Sequence, residues 1–139
     1  MITKFSHFSV FVLDQDEALK FYTEKLGCTI KTDTYRGDYR WLTVVFPEQP
    51  DVEIILVPVE EGPLFDKDTA ETISKLVKKG SFGMGVLLTR NIYATYIEMS
   101  EKGVNFLKEP GKIQFGIEAL FEDNSGNWFS LLQSDADKT

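Results

Sequence analysis

The sequence predicts an α+β fold assembled from two copies of a βαβββ unit, and three observations predict it. His7 stands seven residues before Asp14, which opens an apolar-periodic stretch ending at Gly27. Met84 stands seven residues before Asn91, which opens a second such stretch ending at Gly103. The copies lie about 77 residues apart, and an internal repeat fixes architecture before any single residue is read. The segments after each helical stretch alternate with a period of two, bounded by Gly, Pro, Asp and Asn. Two copies that fold together leave a cleft between them. At one telling position the copies differ, histidine in the first and methionine in the second.

The elements follow in order. Phe5 to Leu13 reads as a strand with Phe8, Val10 and Val12 on one face and His7, Ser9 and Phe11 on the other. Asp14 caps a helix, with Glu17 placed as a capping box requires. Ala18, Leu19, Tyr22 and Leu26 give that helix its apolar stripe, and Gly27 stops it. Strands are expected over Cys28 to Tyr35, Tyr39 to Phe46 and Asp51 to Val59, with Gly37-Asp38 turning the chain and Pro47 and Pro50 bounding a loop. Asp66 or Asp68 can cap a connector helix carrying Ile73, Leu76 and Val77, ended by Lys78, Lys79 and Gly80.

The second unit begins at Phe82. Its helix, capped by Asn91, is expected to turn Tyr93, Tyr96, Ile97 and Ser100 to one side. Val104 to Lys108 reads as a short strand stopped by Pro110 and Gly111, followed by a strand over Gln114 to Phe121. Asp123 to Asn127 is a hairpin turn and Trp128 to Gln133 the last strand, before a polar tail from Ser134. These bounds predict one domain over 1–139: a first module at about 4–59, a connector helix at about 66–79 and a second module at about 82–133.

Composition narrows the function. Apolar residues make up 42% and charged residues 27%, as in soluble globular chains. The net charge of −7 argues against nucleic acid, which needs clustered Lys and Arg, and against anionic membrane surfaces. Cys28 is the single cysteine, so an internal disulfide and a cysteine metal cluster are excluded, and directly behind a helix-ending glycine it reads as a structural thiol. The chain runs straight into a strand-like segment without a signal-peptide pattern, which predicts a cytoplasmic protein. Eleven Phe, five Tyr and two Trp fill a core or wall an apolar cavity.

His7 with Asp14, Ala18, Phe21-Tyr22 and Leu26-Gly27 resembles the opening motif of the glyoxalase/bleomycin-resistance/extradiol-dioxygenase family, the vicinal oxygen chelate superfamily. Asp123-Asn124-Ser125-Gly126-Asn127 resembles its characteristic last hairpin. Arg40-Trp41-Leu42-Thr43-Val44 and Pro50-Asp51-Val52-Glu53 look like a bacterial branch of it, so the likeness runs from about residue 4 to 133. The resemblance implies two βαβββ modules forming a U-shaped mixed sheet around a cleft, and a homodimer. It also implies up to four metal ligands, on the first and last strand of each module, and a divalent metal holding two vicinal substrate oxygens.

Carried over position by position, His7 matches the first ligand, and Glu53 or Ile55 falls at the second. Met84 stands at the third, where it is a poor ligand for a hard ion, and Ser130 at the fourth, where metal-binding members carry Glu. Glu118, on the neighbouring strand, is a substitute donor of uncertain face. A catalytic metal needs at least three good ligands, and this chain offers His7 and Glu53. The expectation is therefore a binder of a small, partly apolar molecule with no intact metal site and no cofactor. Its cleft would be lined by His7, Phe11, Trp41, Glu53, Ile55, Met84, Trp128 and Ser130. The alternatives are a divergent divalent-metal lyase, isomerase or dioxygenase using His7 and Glu53 as catalytic residues, and an interaction module whose cleft is only a packing surface.

Overall fold

A computed structural model of the chain describes residues 1–135. The first module runs β1 (His7–Val12), α1 (Gln15–Lys20), β2 (Thr29–Arg36), β3 (Tyr39–Phe46) and β4 (Gln49–Pro58). After α2 (Lys67–Lys78) the second runs β5 (Gly83–Leu88), α3 (Ile92–Glu101), β6 (Asn105–Ile113), β7 (Gly116–Glu122) and β8 (Trp128–Ser134). Each module is thus βαβββ. The strands hydrogen-bond as two four-stranded mixed sheets, ordered β1-β4-β3-β2 and β5-β8-β7-β6, with one parallel pair in each.

The local chemistry explains the helix starts. Side chains of Asp14, Asp66 and Asn91 accept the backbone N–H three residues on, at 2.9, 2.7 and 3.1 Å. A π-helical turn, Phe21–Lys25, continues α1 and closes with Leu26 N–H donating to Phe21 O at 3.2 Å. Gly27 then takes φ +80°, which ends the helix.

The structure departs from the sequence reading at α3, β6, β4 and the start of the tail. Residues Ile92 and Met99 are the buried side of α3, whereas Tyr93 and Ile97 remain about half exposed. Two turns of helix separate Ile92 from Met99, so this pair sets the phase against the core. Strand β6 does not stop at Lys108 but runs through Pro110 and Gly111. Register shifts between Phe106, Lys108 and Gly111 absorb the proline, which an edge strand tolerates. Strand β4 starts at Gln49, so Pro50 lies inside it, beyond the reach of β1, which pairs from Glu53 onward. Ser134 belongs to β8, and Asp135 N–H donates to Phe115 O at 3.0 Å; the rest of the expected tail lies outside the described residues.

One hydrophobic cluster joins the helix-covered faces of both sheets, from Val10, Tyr22 and Leu56 in the first module to Phe121, Phe129 and Leu131 in the second. The rings of Tyr22 and Phe129 lie 6.4 Å apart across this seam. Cys28 is buried there, and burial pushes its thiol up to about 12, in keeping with a packing role.

The Asp123–Asn127 hairpin locks the seam. Asp123 Oδ1 accepts backbone N–H groups of Ser125, Gly126 and Asn127 at 2.9, 2.9 and 3.0 Å, and its Oδ2 accepts the Tyr22 hydroxyl at 2.8 Å. Asn127 Nδ2 reaches Phe11 O at 2.8 Å, and Ser125 Oγ accepts Leu13 N–H at 3.0 Å. Burial, then the Asp123 carboxylate, raise the Tyr22 phenol well above its usual value. With the core on one face of each sheet, the other face of each is left open.

Candidate functional site

Alternation along β1, β3 and β4 decides what reaches the open face of the first sheet. The core takes Val10, Val12, Leu42, Val44, Ile54 and Leu56, so His7, Trp41, Thr43, Glu53 and Ile55 point the other way. His7 pairs directly across from Glu53 in the parallel β1–β4 ladder. Its Nε2 lies 2.8 Å from Glu53 Oε2, and Thr43 Oγ1 donates to Glu53 Oε1 at 2.8 Å. Ser6 Oγ lies 2.8 Å from His7 Nδ1. With Glu53 ionised, a neutral His7 presents Nε2–H to the carboxylate and leaves Nδ1 as an acceptor. The fully buried Thr43 holds the carboxylate in place from below. Trp41 flanks the group, its ring centre 6.2 Å from that of His7, and the Arg36 guanidinium lies 5.6 Å from the Trp41 ring centre.

The second sheet carries a separate polar group. Ser130 Oγ donates to Glu118 Oε2 at 2.8 Å, and Lys108 Nζ to Glu118 Oε1 at 3.1 Å. These two hydrogen bonds, Ser130 first, hold the Glu118 carboxyl below its usual range. The core claims Ala119, Phe121, Phe129 and Leu131, which puts Glu118, Leu120, Trp128, Ser130 and Leu132 on the open side. Val86 and Leu88 of β5 join them and are 58% and 66% exposed.

Residues 4–131 match the family described as Glyoxalase/Bleomycin resistance protein/Dioxygenase superfamily. The chain belongs to this superfamily. It is 37% identical to the uncharacterized protein YurT of Bacillus subtilis (strain 168), over 90% of this chain and 94% of that protein. The crystal structure of UcmS2 superposes with a TM-score of 0.92 at 46% identity, covering 96% of this chain and 100% of the other. That of TnmS3, an antibiotic binding protein from Streptomyces sp. CB03234, gives 0.75 at 29% identity, covering 96% and 98%.

The resemblance expects metal ligands at His7, at Glu53 or Ile55, at Met84 and at Ser130. His7 and Glu53 face each other, and Ile55 lies one pleat further along the same face. The cross-strand rows Ser9–Ile55–Thr43 and Val86–Ser130–Leu120 correspond, so Ile55 is the counterpart of Ser130, and Glu53 of Trp128. Met84 sits in a bulge between Gly83 and Gly85 and packs against the hydrophobic core. Ser130 is spent on Glu118. Among the described residues no three His, Cys, Asp or Glu side chains stand together as a ligand set. Two donors already hydrogen-bonded to each other do not make the three-ligand catalytic site a divalent metal needs, so the donor set does not fit the metal.

Of the remaining expected residues, Phe11 packs edge-on against Phe65 and Phe82, with ring centres 5.8 and 6.1 Å away, and Trp128 lies over the bare Cα of Gly83. The sequence reading missed Thr43 and Arg36. A hydroxyl inside the otherwise apolar run of β3 was the available signal for Thr43. For Arg36, the signal was the Gly37-Asp38 turn, which sets Arg36 opposite Tyr39 across the hairpin.

Proposed function

We propose that the open faces form a cleft that binds a small, partly apolar molecule without a metal. The observation that carries this reading is the arrangement around His7. Its polar groups are satisfied by Glu53 and Thr43 rather than poised as a ligand set, and they stand beside Trp41. Such a surface offers aromatic area for burial and a few fixed hydrogen bonds for orientation, as small-molecule sites do. The description of TnmS3 as an antibiotic binding protein supports the same class of activity. Calorimetric titration of a broad panel of aromatic and peptide-like molecules tests it. The expected result is saturable binding that quenches Trp41 fluorescence and weakens about tenfold or more in His7→Ala, the worth of a hydrogen bond to a fixed polar group. Silence from the whole panel would sink the reading.

We further propose that a second copy of the chain completes the cleft. Strand β5 is a sheet edge with unpaired backbone groups, and Val86 and Leu88 leave apolar area beside it. Sedimentation equilibrium should give a dimer that Leu88→Glu dissociates; a monomer at every concentration would overturn this. A cytoplasmic location is part of the proposal, supported by the lone buried thiol, and fractionation of cells tests it. No helix among the described residues is long and apolar enough to cross a membrane.

A further inference from the structure

We infer that the molecule bound is a planar aromatic anion, with Arg36 as the residue that selects its charge; this rests on the binding role proposed above. The net charge of −7 alone points to a cationic ligand, but the charges on the open face of the first sheet point the other way. Glu53 is taken up by His7 and Thr43. Arg40, on the helix-covered side of β3, is spent on Asp33 and Asp16, at 2.9 and 2.6 Å. Arg36 sits on the same face as Trp41, because Thr34 pairs with Trp41 and Arg36 with Tyr39. Among the described residues Arg36 has no carboxylate partner, and its guanidinium rests over the Trp41 ring.

That combination is selective. Contact with the indole pre-orders the guanidinium, so less freedom is lost when its planar fork takes a carboxylate or an acidic phenolate. A flat ring laid against Trp41 would bring an anionic substituent within the fork's reach. On the other side of Trp41, His7 Nδ1 meets the Ser6 hydroxyl, which can rotate away; in the neutral tautomer that gives Nε2–H to Glu53, this nitrogen accepts a hydrogen bond. The ligand that satisfies all three is flat and aromatic, anionic at one end and a hydrogen-bond donor at the other. A cationic ligand would meet Arg36 without a countercharge.

The test is calorimetric titration of the intact protein with three matched probes: 2-naphthoate, 2-naphthamide and 2-naphthylmethylammonium. The naphthoate should bind about tenfold more tightly than the amide, the usual worth of a charge-assisted fork, and the ammonium more weakly than either. Arg36→Gln should erase the naphthoate's advantage over the amide, and Arg36→Lys should restore only part of it. Arg36 is exposed, so these variants fold. An amide or ammonium that binds as well as the naphthoate, or a naphthoate preference that survives Arg36→Gln, overturns the inference. Silence from all three probes while another panel molecule binds overturns it and leaves the binding role standing. Silence from every molecule removes both.

Discussion

The two modules share a backbone and differ in what they do with it. Each open face carries one carboxylate held by one hydroxyl and one basic group: Glu53 with Thr43 and His7 in the first, Glu118 with Ser130 and Lys108 in the second. The likeness does not come from the repeat. In the first module the carboxylate is on β4 and the hydroxyl on β3; in the second the carboxylate is on β7, the counterpart of β3, and the hydroxyl on β8. By register the counterpart of Thr43 is Leu120 and that of Ser130 is Ile55. The two modules share the scaffold, and the polar group of each face is built from non-equivalent positions. The turns differ as well. Pro47-Glu48 joins β3 to β4 as an exposed two-residue link, whereas Asp123–Asn127 joins β7 to β8 as a buried clamp on the other module.

That last contrast carries the largest expected effect. Asp123→Ala strands the Tyr22 hydroxyl and three backbone N–H groups away from water. It should cost about 3 to 4 kcal/mol, because each buried donor left without a partner bears its full desolvation penalty. In the opposite turn, Glu48→Ala removes an exposed ion pair to Arg90 and should leave the urea midpoint where it was. If the two variants unfold at the same urea concentration, the hairpin is not a clamp and the modules are equivalent at their turns.

Most of the scaffold was legible because it is written in local signals. Asp14, Asn91 and Gly27 mark helix ends by their own hydrogen bonds and dihedral freedom, and the period-two alternation of β1 and β3 names the covered face. What was not legible depends on partners distant in sequence. The phase of α3 is set by a core that includes Phe121 and Leu131, so Tyr93 and Ile97 looked as good as Ile92 and Met99. The bulge at Gly83 and Gly85 takes Met84 out of the strand's simple alternation, and only the pairing with β8 reveals it. The Glu53–Ile55 ambiguity likewise needed the β1 register. His7 and Glu53 were both legible as candidates, but not their pairing; for Thr43 the sequence offered only a hydroxyl in an apolar strand, which gains meaning once its neighbour is known to be a carboxylate.

The polar groups themselves give the next effect in size. Thr43→Val keeps shape and removes the donor under Glu53, from a residue with no exposed surface. It should cost about 1 to 2 kcal/mol and free the His7 ring, visible as a broadened imidazole signal by NMR. Ser130→Ala in the second module should cost less, under about 1 kcal/mol, because Lys108 still serves Glu118 and a quarter of that side chain is exposed. Equal losses at the two sites would mean that the faces are energetically interchangeable and that His7 adds nothing to the first.

The smallest effect is in the acid dependence of the second group. In the folded chain the hydroxyl of Ser130 and the ammonium of Lys108 hold Glu118 below its usual range, so the unfolded chain binds this proton more readily than the folded one. The resulting stability is fully present above the ordinary carboxylate range and fades as pH falls through that range and below it. Ser130→Ala removes the larger of the two causes. The variant should therefore be less stable than the parent at neutral pH, and the gap should close in acid, where Glu118 is protonated in both. Denaturant titrations of the pair at several pH values measure this directly. A gap that stays constant down to acid pH would mean that Ser130 acts only by packing against β7, and the second face would lose its claim to a charge-assisted group like the first.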